Sequence, residues 1–158
     1  MPLWTSPRPL PYGTVESVIS VEGGAIPFEL PERAFELATG RLHERLEWAG
    51  WITWNEEAGY EFLPLIEWHV SAASVTYERP GLPEGTHLVL DLHSHPFDMP
   101  AFSSIDDKDD TGGIHFSGVI SFPGETGEPE LSMRLCIEGY YFELTEVEIE
   151  ALFSGKVF

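Results

Sequence analysis

Residues 91–107, DLHSHPFDMPAFSSIDD, place two histidines one residue apart and follow them with a serine and an aspartate. On a β-strand successive side chains alternate between faces, so His93 and His95 point the same way and both imidazoles can reach one cation. The competing reading is a solvent-facing polar pair on an edge strand. Pro96 stops the strand directly after His95, and Ser103 then opens a polar segment with Asp106 one turn inside it. A helix N-terminus holds an anionic side chain comfortably, so the loop can return Asp106 over the strand end as a third ligand. Two imidazoles and one carboxylate, with a fourth position for water, are the layout of an open catalytic zinc site. A structural site would close all four positions, and no cysteine or further histidine near this cluster offers to do so.

The run H-S-H-P, six residues, then S-x-x-D resembles the metal motif of the JAMM (MPN-plus) metalloproteases, through His93, Ser94, His95, Pro96, Ser103 and Asp106. The wider run LVLDLHSHPFDMPAFSSIDDKDD, with MRLCIEGYYFEL, is similar to the protein A group of the bacterial PRTRC system. There such a protein accompanies a ThiF-like activating enzyme and a ubiquitin-like protein. The resemblance spans roughly residues 30–145. It implies one zinc ion on His93, His95 and Asp106, hydrolysis of peptide or isopeptide bonds, and a ubiquitin-like protein and a ThiF-like enzyme as partners. The implied fold is a mixed α/β (α+β), JAMM/MPN-like curved sheet, cytidine-deaminase-like, flanked by a long N-terminal helix and shorter helices.

The family also requires a glutamate in an E-x-x-G pattern ahead of an apolar strand, and EWAGWITW supplies Glu47 and Gly50. A carboxylate there would take a proton from the attacking water and deliver it to the leaving amine. Glu44 is the alternative, but it lacks the following glycine. The plain structural reading of Glu47, a solvent-side residue at a helix end, fits poorly because negative charge near a helix C-terminus is unfavourable. By the same resemblance Ser103 would donate to the oxyanion, a role compatible with capping its helix. Asp91 departs from the aromatic residue common there in eukaryotic relatives. It shares the face of His93 and His95 and could orient one imidazole through its second nitrogen. Two other functions fit the same residues: an MPN-fold interaction module without activity, and a hydrolase of a small amide or sulfur-carrier adduct.

These residues need elements to hold them. The clearest helix is Pro31 to about Leu46, with Ala34, Leu37, Ala38, Leu42 and Leu46 at helical spacing. Strands are expected at WAGWITW, within YEFLPLIEWHVSAASVTYERP, and at THLVLDLHSH, FSGVISF, ELSMRLCI and YYFELT; EVEIEALFSG is a last amphipathic helix. SSIDDKDDTGG reads as a short helix ended by paired glycines, and TVESVISVEGGAIPFELP as two short strands around Gly23–Gly24. Asp107, Asp109 and Asp110 read as solvated, His115 as a residue at the surface or the start of a strand, and His43, His69 and His87 as structural or exposed. Residues 1–13, with four prolines, read as an extended arm ahead of a single domain over 14–158.

With 158 residues and 42% hydrophobic content the chain can bury a core unaided. A formal charge of −19 argues against nucleic-acid binding, which needs clustered lysine and arginine. No apolar run is long enough to span a membrane, and the proline-rich start has no signal-peptide core. The single cysteine, Cys136, sits in an apolar strand, reads as buried rather than nucleophilic, and fits a reducing cytoplasm. Few lysines and dispersed carboxylates suggest a high-salt cytoplasm, with a surface built for a basic partner as the rival explanation.

Overall fold

The computed structural model describes residues 19–71, 74–96, 102–104, 106–124 and 128–155. The proline-rich arm, residues 14–18 and most of the PFDMPAF stretch therefore lie outside the described residues. A helix, α1 (Glu29–Arg41), leads through a short 3-10 turn (Leu42–Glu44) into β1 (Ala49–Asn55) and β2 (Gly59–Pro64). A hairpin of β3 (Glu67–Val70) and β4 (Val75–Tyr77) precedes the long strand β5 (Thr86–Ser94) and the short helix α2 (Asp106–Asp109). Strands β6 (Ile114–Ser121), β7 (Glu130–Ile137) and β8 (Tyr140–Glu143) follow, and α3 (Glu146–Ser154) comes last.

Six strands form one sheet in the order β2-β1-β5-β6-β7-β8, while β3 and β4 pair separately. Among the described residues every strand pairing is antiparallel except β5 with β6. That parallel pair needs a crossover, and the segment carrying Ser103 and Asp106 lies within it. One face of the sheet, with Leu90, Leu92, Phe116, Ile120, Met133 and Leu135, packs against Ala34 and Ala38 of α1 and Leu152 of α3. By strand alternation the other face carries a polar row across three strands, in which Asp91 pairs with Ser117 and Ser117 with Arg134. Tyr77 of β4 covers part of this face, meeting Trp51 edge to face at 6.4 Å.

Three expectations need correction. The helix ends at Arg41 rather than near Leu46, because the 3-10 turn and Arg45, left-handed at φ 53°, turn the chain towards β1. Residues 19–28 form a turn, with no strand hairpin around Gly23–Gly24. Here Gly24 supplies the positive φ of the turn, and its carbonyl accepts the Tyr60 hydroxyl at 2.8 Å. The segment YEFLPLIEWHVSAASVTYERP, expected to hold one or two strands, carries three, β2, β3 and β4, since β3–β4 fold back as an independent hairpin.

Candidate metal centre and its surroundings

The end of β5 delivers the histidines. His93 lies on the strand, and His95, one step beyond it, is held by its backbone N–H to the Ile120 carbonyl of β6 at 2.9 Å. Their Nε2 atoms are 3.1 Å apart. Asp106 completes the group, with Oδ1 3.0 Å from His93 Nε2 and Oδ2 3.9 Å from His95 Nε2. Ligand atoms on a tetrahedral zinc, each ~2.0–2.1 Å from the metal, stand roughly 3.3 Å from one another. The three side chains thus form a group that could hold one metal ion.

Asp106 is fixed by a reciprocal cap. Its carboxylate accepts the Ser103 backbone N–H, and the Ser103 hydroxyl accepts the Asp106 backbone N–H at 3.5 Å. This is a capping box with aspartate in the third position, so the capping role expected for Ser103 is observed. Ser103 also lines the cavity onto which the three ligands open. Burial alone would raise the Asp106 pKa, but the His93 hydrogen bond and charge, with the Ser103 hydrogen bonds, hold it far below the usual carboxylate range. Burial opposes a charge on His93, yet the hydrogen bond to Asp106 and the charges of Asp106, Asp91 and Glu47 raise its pKa.

Glu47 enters from the turn between the 3-10 element and β1. Its backbone N–H bonds the Ser71 carbonyl at 3.0 Å, its carbonyl accepts from Arg41 at 3.3 Å, and its carboxylate accepts the Val75 N–H. Arg41 in turn pairs with Glu67 of β3 at 2.6 Å. The β3–β4 hairpin therefore aims Glu47. The side chain is 3% exposed, and Oε1 has no hydrogen-bond partner among the described residues. Burial pushes its pKa up to about 7, with His93 pulling down and Asp106 pushing up. Glu47, His93, His95, Ser103 and Asp106 line one cavity of about 40 Å³ together with Ser74, Val75, Tyr77, Asp91 and Asp110. At roughly 10–15 Å³ per water-sized occupant, that volume admits an ion and water.

Asp91 shares the histidine face, as strand alternation requires, and is buried. Its carboxylate accepts the Tyr77 hydroxyl at 3.1 Å. Burial pushes its pKa up to about 6, against the pull of His93, Tyr77 and Arg79.

The expectation of solvated acids after Asp106 fails at Asp110, which is 3% exposed. Arg134 Nη2 and Nε reach its Oδ2 at 2.8 and 3.2 Å, and His115 Nε2 lies 3.3 Å from its Oδ1. His115 does stand at the start of β6, but it is buried rather than on the surface. Asp107 is half-exposed and still pairs with Arg134 at 2.7 Å. His43 and His87 are exposed as expected; the side chains of His69 and Asp109 lie outside the described ones. Arg134 was legible only as one of few cations, because its partners lie 24 and 27 positions away in sequence.

Asp110, His115 and Cys136 also bring one ligand atom each within 4.8 Å of the others. Two features make this group a neutralised ion pair rather than a cation site. The Arg134 guanidinium already occupies Asp110, and the Cys136 thiol is pushed up to about 12, chiefly by burial. Cys136 is the buried strand residue expected.

A mixed sheet whose parallel crossover returns an aspartate onto a His-x-His pair at a strand end brings together a group of potential metal ligands. The profile of the prokaryotic homologs of the JAB domain matches residues 35–135, and the chain belongs to that family. Two solved structures are similar. One is a protein from Desulfitobacterium hafniense, 14% identical over 75% of this chain and 87% of its own, with a TM-score of 0.48. The other is a JAB1/MPN domain protein from Archaeoglobus fulgidus, 20% identical over 76% of this chain and 95% of its own, with a TM-score of 0.44. No curated protein matches the chain. No helix among the described residues is long and apolar enough to cross a membrane.

Proposed function

We propose that this protein is a zinc-dependent hydrolase of peptide or isopeptide bonds, acting on a ubiquitin-like protein or its conjugates. The observation that carries the reading is Glu47: a buried carboxylate with one unpaired oxygen, facing the same small cavity as His93, His95 and Asp106. A buried carboxyl oxygen without a partner costs stability, which is sensible where the partner arrives with the reaction.

His93, His95 and Asp106 would hold the zinc. Zinc so placed supplies Lewis-acid polarisation of a carbonyl and a lowered pKa for water. Glu47, with a pKa near 7, can accept a proton from the attacking water at neutral pH and return it to the departing amine nitrogen. Ser103, which lines the same cavity, would donate its hydroxyl to the carbonyl oxygen as negative charge develops there. Asp91 and Tyr77, joined by a hydrogen bond, line the same cavity.

The substrate class rests on the resemblance to the PRTRC protein A group, which also suggests a ThiF-like enzyme as a partner. The lone buried cysteine is compatible with work in a reducing cytoplasm, and the charge of −19 with a high-salt one. The test is incubation of the purified protein with a ubiquitin-like protein extended at its C-terminus by a peptide-linked reporter. Release of the reporter, stopped by a chelator, restored by zinc and abolished in Glu47→Gln, is the expected result. Zinc bound at one per chain with no cleavage of peptide, isopeptide or small amide would instead identify an interaction module.

A further inference from the structure

The third ligand sits on a helix of only four residues, Asp106–Asp109, which cannot hold its own position. Arg134, from β7, supplies what the helix lacks. Its guanidinium is 4% exposed and grips both ends of the segment, reaching Asp107 through Nη1 at 2.7 Å and Asp110 through Nη2 and Nε. The same group lies between two aromatic rings, 4.2 Å from the centroid of Phe102 and 4.2 Å from that of Tyr141. Phe102 directly precedes Ser103, and the Tyr141 hydroxyl donates to the Asp107 carbonyl. His115 backs Asp110 from β6. One side chain thus fastens residues 102, 107 and 110, which bracket both Ser103 and Asp106.

We infer that Arg134 is a positioning residue for the metal centre: it sets zinc affinity through the placement of Asp106, without touching the ion. The inference rests on the reading that His93, His95 and Asp106 hold zinc. A simple Coulomb effect has the opposite sign, which makes the two separable. Arg134 stands two strands from β5, roughly 10 Å at the usual strand spacing, so deleting its positive charge would strengthen cation binding. Loss of positioning weakens it. Lysine keeps the charge but neither the fork nor the flat face that stacks between the rings.

Zinc affinity of the full chain is measured by competition with a chromophoric chelator, with circular dichroism of the metal-free protein as a check on folding. Arg134→Met should bind zinc about 10–100-fold more weakly, the range seen when groups that orient a metal ligand are removed. Arg134→Lys should also bind more weakly than the wild type. With Asp106→Asn already present, Arg134→Met should weaken binding little further, because both act through one ligand. If Arg134→Met does not fold, since it leaves Asp110 buried without its guanidinium partner, Arg134→Met/Asp110→Asn removes both charges and carries the same expectation. A folded variant that binds zinc as tightly as the wild type, or more tightly, overturns the inference. A wild type that binds no zinc overturns the metal-site reading and the inference with it, before any variant is compared.

Discussion

Ser94 and Trp48 exchange two hydrogen bonds: the Trp48 N–H donates to the Ser94 hydroxyl at 2.9 Å, and the Ser94 N–H donates to the Trp48 carbonyl at 2.8 Å. The middle residue of His-Ser-His thereby ties the strand of the histidines to the residue after Glu47, from the side of the strand away from the imidazoles. Ser94 is 1% exposed, so Ser94→Ala leaves a buried N–H without its partner. The expected cost is about 1–3 kcal/mol in the unfolding free energy of the metal-free protein. Zinc content should stay at the wild-type level while hydrolysis falls, because the chain beside Glu47 loses one of its ties and the ligands do not. Denaturant titration and metal analysis check both halves, and an unfolding midpoint equal to the wild type would contradict the first.

Gly50 has a role that its place in E-x-x-G does not reveal. A Cβ there would lie 2.6 Å from both Cζ2 and Cη2 of Trp48 and 3.1 Å from Phe62. The Trp48 ring is buried and stacked on Phe62, with centroids 5.9 Å apart and planes within 5°, so it has little room to retreat. Gly50→Ala should destabilise the protein by about 1–3 kcal/mol through overpacking. Thermal melting of the variant measures it, and a midpoint equal to the wild type would show that the indole yields freely.

Much of this site is written locally, and the rest is not. Alternation along β5 suffices to put Asp91 and His93 on one face, and the Ser103–Asp106 spacing suffices for the reciprocal cap. These relations span four residues or fewer, where backbone period decides the outcome. The Asp110–Arg134 pair crosses from the residue after α2 to β7, and no local pattern distinguishes Asp110 from the acidic residues before it. The β3–β4 hairpin supplies Ser74, Val75 and Tyr77 to the cavity because it folds apart from the main sheet, which periodicity does not encode. Gly23–Gly24 misleads for a related reason: paired glycines signal a turn, and only the flanking partners decide whether strands follow.

The raised pKa of Glu47 gives a pH dependence with a definite sign. Its folded value, about 7, stands above its ordinary 4.5 because burial disfavours the carboxylate. The unfolded chain therefore ionises first, and metal-free protein should lose stability as pH rises from about 4.5 to about 7, with the loss persisting above. Glu47→Gln has no such loss. Metal-free Glu47→Gln should match the wild type near pH 4.5 and exceed it by about 1–3 kcal/mol at pH 8. Unfolding titrations at the two pH values check this; a variant less stable at pH 8 would mean that Glu47 is stabilised as an anion.

Asp110 behaves in the opposite sense. Burial would raise its pKa, but hydrogen bonds from His115 and Arg134 and the Arg134 charge lower it from 3.8 to about 2. Its contribution is present above its unfolded pKa and lost as pH falls through the folded one. Asp110→Asn should cost about 2–3 kcal/mol at pH 6, and the gap should close between pH ~4 and pH ~2. A gap that stays constant on acidification would place the cost in packing instead of charge.

The most direct test of the whole account is anomalous diffraction at the zinc edge from crystals of the protein grown with zinc. The account predicts a single strong peak bounded by His93, His95 and Asp106, with the unpaired Glu47 oxygen facing its open side. A peak at Asp110, His115 and Cys136, or none between the two histidines, would contradict it.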